Sequence, residues 1–269
     1  MDKPQGQTGS WTTPQAIPMD YVLVRGSTTP WQAVPGTGFD RQDLGLARAS
    51  GGLMQAERLR IGAPGATGWR RHDADFEFWY VDRGWMKIED EHGEARLLDK
   101  GGVAVLPTGL NHDIFDFSVD FEAIRITSPA SSGTTNAGKP AGPAHYSLVT
   151  PEAFKTGAGP RRFFGYRDLG PSAATGGRIH IHVVKSTGPA APGGTGWHYH
   201  SMSQWFMVLH GWATLAVEKQ GQTRMVAGDC MTLGAGMRHD VPAYSPDYLV
   251  LEMCLPGEYE TVAVAPPAA

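Results

Sequence analysis

His198 and His200 are separated by one residue, Gln204 follows shortly after, and His239 lies much further along the chain. Alternate residues of an extended strand share a face, so the first two imidazoles project together. Three imidazoles and one amide oxygen suit a borderline divalent metal such as Zn, Fe, Ni, Mn or Cu. A lone His-x-His is weak evidence, because every strand presents alternate residues on one face. Four ligand-type residues at two separate places in the chain are much harder to attribute to chance. The expectation is a divalent transition metal on His198, His200, Gln204 and His239.

The neutral donors shape the chemistry. With Gln204 in place of a carboxylate, a bound metal keeps its full formal charge, which strengthens it as a Lewis acid and favours anionic chelators such as enolates or phenolates. His180 and His182 alternate on an earlier strand and are candidates for a general acid or base. Trp197, Tyr199, Met202, Trp205, Phe206, Met207, Met231 and Met237 crowd the ligands. Most should be core, and some should wall an apolar pocket for a small organic substrate.

An internal repeat supplies the elements that position these groups. Asp43-Leu44-Gly45 through Gly51-Gly52 recurs as Asp168-Leu169-Gly170 through Gly176-Gly177. Thr67-Gly68-Trp69 recurs as Thr195-Gly196-Trp197, Gly84-Trp85 as Gly211-Trp212, and His112 as His239, all in the same order. Within each copy, short alternating runs such as Arg178 to Val184 and Ala213 to Glu218 are separated by turn glycines. The class is therefore all-β, with a sandwich or barrel in each half. Ser128 to Ala144, rich in Ser, Gly, Pro and Thr, reads as a linker.

The second copy resembles the cupin family. Its first motif has His-x-His, three or four residues, Glu, six residues and Gly, matched here by His198-Tyr199-His200, Gln204 and Gly211. The second motif is matched by Gly228, Gly234-Ala235-Gly236 and His239, with Gly where the family has Pro. Gln204 departs from the usual Glu, and similar three-His-plus-Gln sets occur in some cyclase-type and uronate-isomerising cupins. The resemblance implies two cupin-type double-stranded β-helix (jelly-roll) barrels in tandem. It divides the chain into an N-terminal cupin domain at 1–127, a linker at 128–144 and a C-terminal metal-binding cupin domain at 145–269.

In the first copy Arg70 stands at the place of His198, while His72, Glu77 and His112 remain as a candidate second site. Two histidines and a carboxylate can hold iron on one face. An Arg70–Glu77 ion pair would instead occupy the carboxylate and repel a cation, so a metal-free first barrel is the favoured expectation.

Composition excludes other classes. Lys+Arg 23 against Asp+Glu 27 gives a net charge of −4 with no basic block, so no nucleic-acid partner is expected. No apolar run approaches the roughly 20 residues that span a bilayer, so no membrane partner is expected. Met1 to Asp20 lacks the pattern of a secretory signal, and a cytoplasmic location is expected. Cys230 and Cys254, the two cysteines, make no disulfide framework and are expected to be buried free thiols, with a single bridge as the alternative.

The functional expectation is a metal-dependent oxidoreductase of the cupin dioxygenase type acting on an oxygenated, enolisable or phenolic small molecule. A non-redox isomerase, cyclase or lyase is the alternative, and a non-catalytic binding protein the third reading. The resemblance allows a homodimer, and equally allows the two copies to satisfy that need within one chain.

Overall fold

The computed structural model describes residues 16–62, 67–93, 95–131, 134–135, 143–150, 153–156, 161–189 and 192–268. The N-terminal stretch 1–15 and most of the expected linker, 132–133 and 136–142, lie outside the described residues. The chain is all-β, two jelly-roll halves in which a large and a small sheet remain separate rather than closing into a continuous barrel.

In the second half the large sheet runs in the order Val22–Val24, Cys230–Leu233, Ser203–His210, Leu249–Leu255, His180–Ser186, Phe164–Asp168, Lys155–Thr156. The small sheet runs Gly221–Val226, Trp212–Val217, His239–Tyr244, His198–His200, Thr261–Ala263. The first half repeats the large sheet with Val103–Pro107, Phe76–Arg83, Glu122–Ser128, Gln55–Ile61 and Phe39–Asp43 at its centre.

Each half borrows a strand from the other. Val22–Val24, from the start of the chain, pairs antiparallel with Cys230–Leu233. His145–Ser147, which opens the second copy, pairs with Val103–Pro107 of the first. Arginines pin both exchanges: Arg25 donates to Asp229 at 2.7 Å, and Arg167 donates to the Gly101 carbonyl at 2.6 Å and to Ser147 Oγ at 3.0 Å. An unpaired edge would otherwise remain on each large sheet, and the exchange covers it.

The two large sheets pack on one another, which explains their apolar strands. Ser203–His210 is buried at every position except its last, because both faces are covered. Trp205 and Met207 enter the core shared with Leu44, Phe76, Phe78 and Tyr80 of the first half, and the Trp205 indole donates to the Leu44 carbonyl at 3.3 Å. The alternate residues Phe206 and Val208 face the interior of the second half with Leu215, Met231 and Val250. By contrast, Trp212–Val217 and Trp85–Asp90 alternate strictly between buried and half-buried positions, as strands with one covered face do. Cys230 and Cys254 are buried free thiols. No helix among the described residues is long and apolar enough to cross a membrane.

Candidate metal centre

His198 and His239 are direct partners on neighbouring strands of the small sheet, and His200 follows two residues along the same face. The loop before them is fixed locally. Gly194 adopts φ +64, and a Cβ there would lie 2.1 Å from the Val241 carbonyl oxygen, so only glycine fits. Thr195 then donates to Asp240 at 2.9 Å and accepts from the Val241 amide at 2.9 Å. In the first half Thr67 makes the same bonds to Asp113 and Ile114 at 3.2 and 3.1 Å. The repeated Thr-Gly-Trp is a device for setting the ligand strand.

Each histidine has its Nδ1 engaged. His198 bonds the Gly196 carbonyl at 2.6 Å, His239 the Met237 carbonyl at 2.9 Å, and His200 the Thr261 hydroxyl at 2.9 Å. A carbonyl can only accept, so His198 and His239 carry their proton on Nδ1 and turn a bare Nε2 inward. One nitrogen from each of the three rings lies within 4.8 Å of the others. Gln204, from the large sheet, places its amide nitrogen 3.3 Å from His239 Nε2. A half-turn of the amide would present its oxygen to the same point, completing a neutral four-donor set. Burial pushes the imidazole pKa of His198 down, that of His200 to about 4 and that of His239 to about 3. All three are therefore neutral near pH 7, the form that binds a metal. The donors fit a divalent transition metal.

A cavity of about 100 Å³ opens beside these groups. Phe164, Val184, Phe206, Leu215 and Val250 form its apolar walls, with Tyr166, Tyr248 and Tyr259 among its polar ones. Arg161 is the one Arg or Lys side chain among the described lining residues. Glu252, which the sequence reading did not select, also lines it, accepting from His182 Nε2 at 2.9 Å. Burial alone would raise its pKa, but the His182 hydrogen bond and the nearby His182, His200 and His239 rings outweigh it and hold the carboxyl at about 2. His180 lies behind His182, its Nε2 2.8 Å from His182 Nδ1.

The C-terminal segment closes the site. Thr261–Ala263 pairs with His198–His200, and Tyr259 sets its ring edge-on to His200 at 5.4 Å. The tail from Val262 onward carries no chemical signal in the sequence, yet it supplies backbone support to the ligand strand. Of the aromatic and Met residues crowding the motifs, Phe206 reaches the cavity, whereas Trp205 and Met207 belong to the core between the halves.

In the first half Arg70 is bridged to His112 as His198 is to His239. Its guanidinium donates to Glu77 at 3.3 Å and to His112 Nε2 at 3.4 Å. Trp79 also donates to Glu77 at 2.6 Å, and Arg125 lies 4.0 Å away. Burial would raise the Glu77 pKa, but Arg70 and Arg125 hold it at about 2. His72 is buried, and neither ring nitrogen has a hydrogen-bond partner among the described residues.

Residues 189–254 match the family model described as a cupin domain. The chain is similar in fold to the crystal structure of protein Ylba from E. coli, with a TM-score of 0.65 and 14% identity over 90% of this chain and 93% of that one. It is also similar to a variant of Bacillus subtilis oxalate decarboxylase OxdC, with a TM-score of 0.61 and 15% identity over 90% of this chain and 79% of that one. No curated protein matches the sequence. At such identities the likeness carries the fold, and it extends over both halves.

Proposed function

We propose that the second half is a metal-dependent enzyme that binds a small oxygenated anion and transfers a proton on it, as an isomerase, cyclase or lyase would. The observation that carries this reading is Glu252, an ionised carboxylate in the same cavity as the three histidines and Gln204. A divalent metal held by His198, His200, His239 and Gln204 would supply Lewis-acid polarisation of a carbonyl or carboxylate. The chain's own groups do the rest. Arg161 attracts the anion, the apolar walls exclude water from it, and Glu252 takes up or returns the proton. The fold likeness to oxalate decarboxylase is compatible with an acidic small-molecule substrate.

A dioxygenase acting on an enolate or phenolate is the second reading. It is favoured by the neutral donor set and by the apolar walls, which suit a phenolic or enolic ring. The two separate in one experiment. Protein loaded with Zn, Mn, Ni or Fe(II) is given a panel of enolisable carboxylates and catechols with and without oxygen. Turnover that persists anaerobically with Zn supports proton transfer. Turnover that requires Fe(II) and consumes oxygen overturns it in favour of oxidation.

A further inference from the structure

His180 and His182 share a face of strand His180–Ser186, and the next strand sets Glu252 directly opposite His182. The three side chains form a line of hydrogen bonds: His180 Nε2 to His182 Nδ1 at 2.8 Å, then His182 Nε2 to Glu252 Oε2 at 2.9 Å. The two ends of the line differ. Glu252 and His182 line the cavity, whereas His180 is 22% exposed and faces Asp168, itself 62% exposed, at 3.8 Å from Nδ1. Tyr166 packs edge-on to His182 at 5.7 Å. Tyr166, Cys254 and Tyr259 have their pKa values raised by burial, so none of them competes for the proton near neutral pH. A half-buried carboxylate facing a cavity is stabilised by a hydrogen-bond donor, and one amide side chain would supply it. Two imidazoles in series do more, because each ring accepts a proton on one nitrogen and releases one from the other.

We propose that His182 and His180 form a proton conduit between Glu252 in the cavity and solvent beside Asp168. Its catalytic use rests on the acid–base role given to Glu252 above. Inward, a proton from water bonds to His180 Nδ1. The His180 Nε2–H bond breaks as His182 Nδ1 is protonated, and the His182 Nε2–H bond breaks as Glu252 Oε2 is protonated. Outward, the same bonds form and break in reverse. One proton enters, one is delivered, and no electrons are exchanged.

The test uses His180→Gln, because an amide can still donate to His182 Nδ1 but cannot pass a proton through itself. In the ¹⁵N-labelled, Zn-loaded protein, water-saturation transfer reads exchange of the His182 ring proton with solvent. The conduit predicts that His180→Gln slows this exchange at least about tenfold while Zn content is retained. Exchange at the wild-type rate overturns the conduit. A second arm follows methyl-hydrogen exchange of pyruvate in D₂O. His180→Gln is expected to slow it about tenfold, with partial recovery in added imidazole, and Glu252→Gln to abolish it without recovery. If the ring-proton exchange slows but wild-type protein leaves pyruvate untouched, the conduit stands and the proton-transfer reading fails for that substrate.

Discussion

The Arg70 guanidinium lies 3.3 Å from the Glu77 carboxylate, an ion pair at the place where the second half presents only neutral donors. Arg70 also reaches His112, so it binds two of the groups that a metal would need. The two halves share a backbone frame, and two exchanged residues, Arg70 for His198 and Glu77 for Gln204, put a buried ion pair where the second half has neutral donors.

Replacing Arg70 should therefore open a second site. Arg70→His would give the first half three histidines and Glu77 at the places that His198, His200, His239 and Gln204 hold in the second, and metal content measured by plasma emission is expected to rise by one ion per chain. Without metal the same variant should be about 3 kcal/mol less stable, because Glu77 loses a close buried partner. Unchanged stoichiometry would count against the equivalence of the two halves.

In the proposed centre Gln204 would keep the donor set neutral. Gln204→Glu adds a carboxylate to the donor set, and calorimetric titration with Zn should show affinity higher by at least about tenfold. The same substitution should weaken binding of oxalate to the Zn-loaded protein, since the metal then carries less uncompensated charge. Stronger oxalate binding would contradict this assignment.

Thr261 orients His200 through its hydroxyl. Thr261→Val keeps the shape and removes the hydrogen bond, so Zn affinity is expected to fall by about tenfold with little change in thermal stability. Equal affinity would show that the C-terminal strand only covers the site.

Acidification should destabilise the metal-stripped protein. Burial holds His200 and His239 at about 4 and about 3, against an ordinary value of 6.5. Between those values the unfolded chain binds more protons than the folded one, so stability rises with pH. It is fully present above pH 6.5 and is lost as pH falls toward 3. Glu77 and Glu252, held at about 2 against an ordinary 4.5, extend the loss below pH 4.5 in the same direction. Melting temperatures of chelator-treated protein from pH 7 to 4 should fall steadily, and less steeply in His239→Gln.

The repeat and the alternation of strand residues made the all-β class legible, because turn glycines and covered faces leave a direct trace in sequence. Spacing along one strand made it legible that His198 and His200 point together, whereas Gln204 and His239 stand on two other strands and entered the candidate set through the resemblance to the cupin motifs. Glu252 was not selected. It stands as a single carboxylate in the apolar run Leu249–Leu255, and a lone charge in a doubly covered strand was the available signal. Thr261 comes from the C-terminal strand Thr261–Ala263, while Tyr259 and Arg161 lie outside the strands, and no local sequence pattern marks any of the three as lining the site. Strand exchange was equally hidden, because Val22–Val24 looks the same whichever half it joins.

The most direct measurement is metal content of freshly purified protein beside His239→Ala. A divalent transition metal should be present at one equivalent per chain in the wild type and absent from the variant. Wild-type protein free of metal and unable to take up Zn, or a variant that holds the same amount, would contradict a centre built on His198, His200, Gln204 and His239.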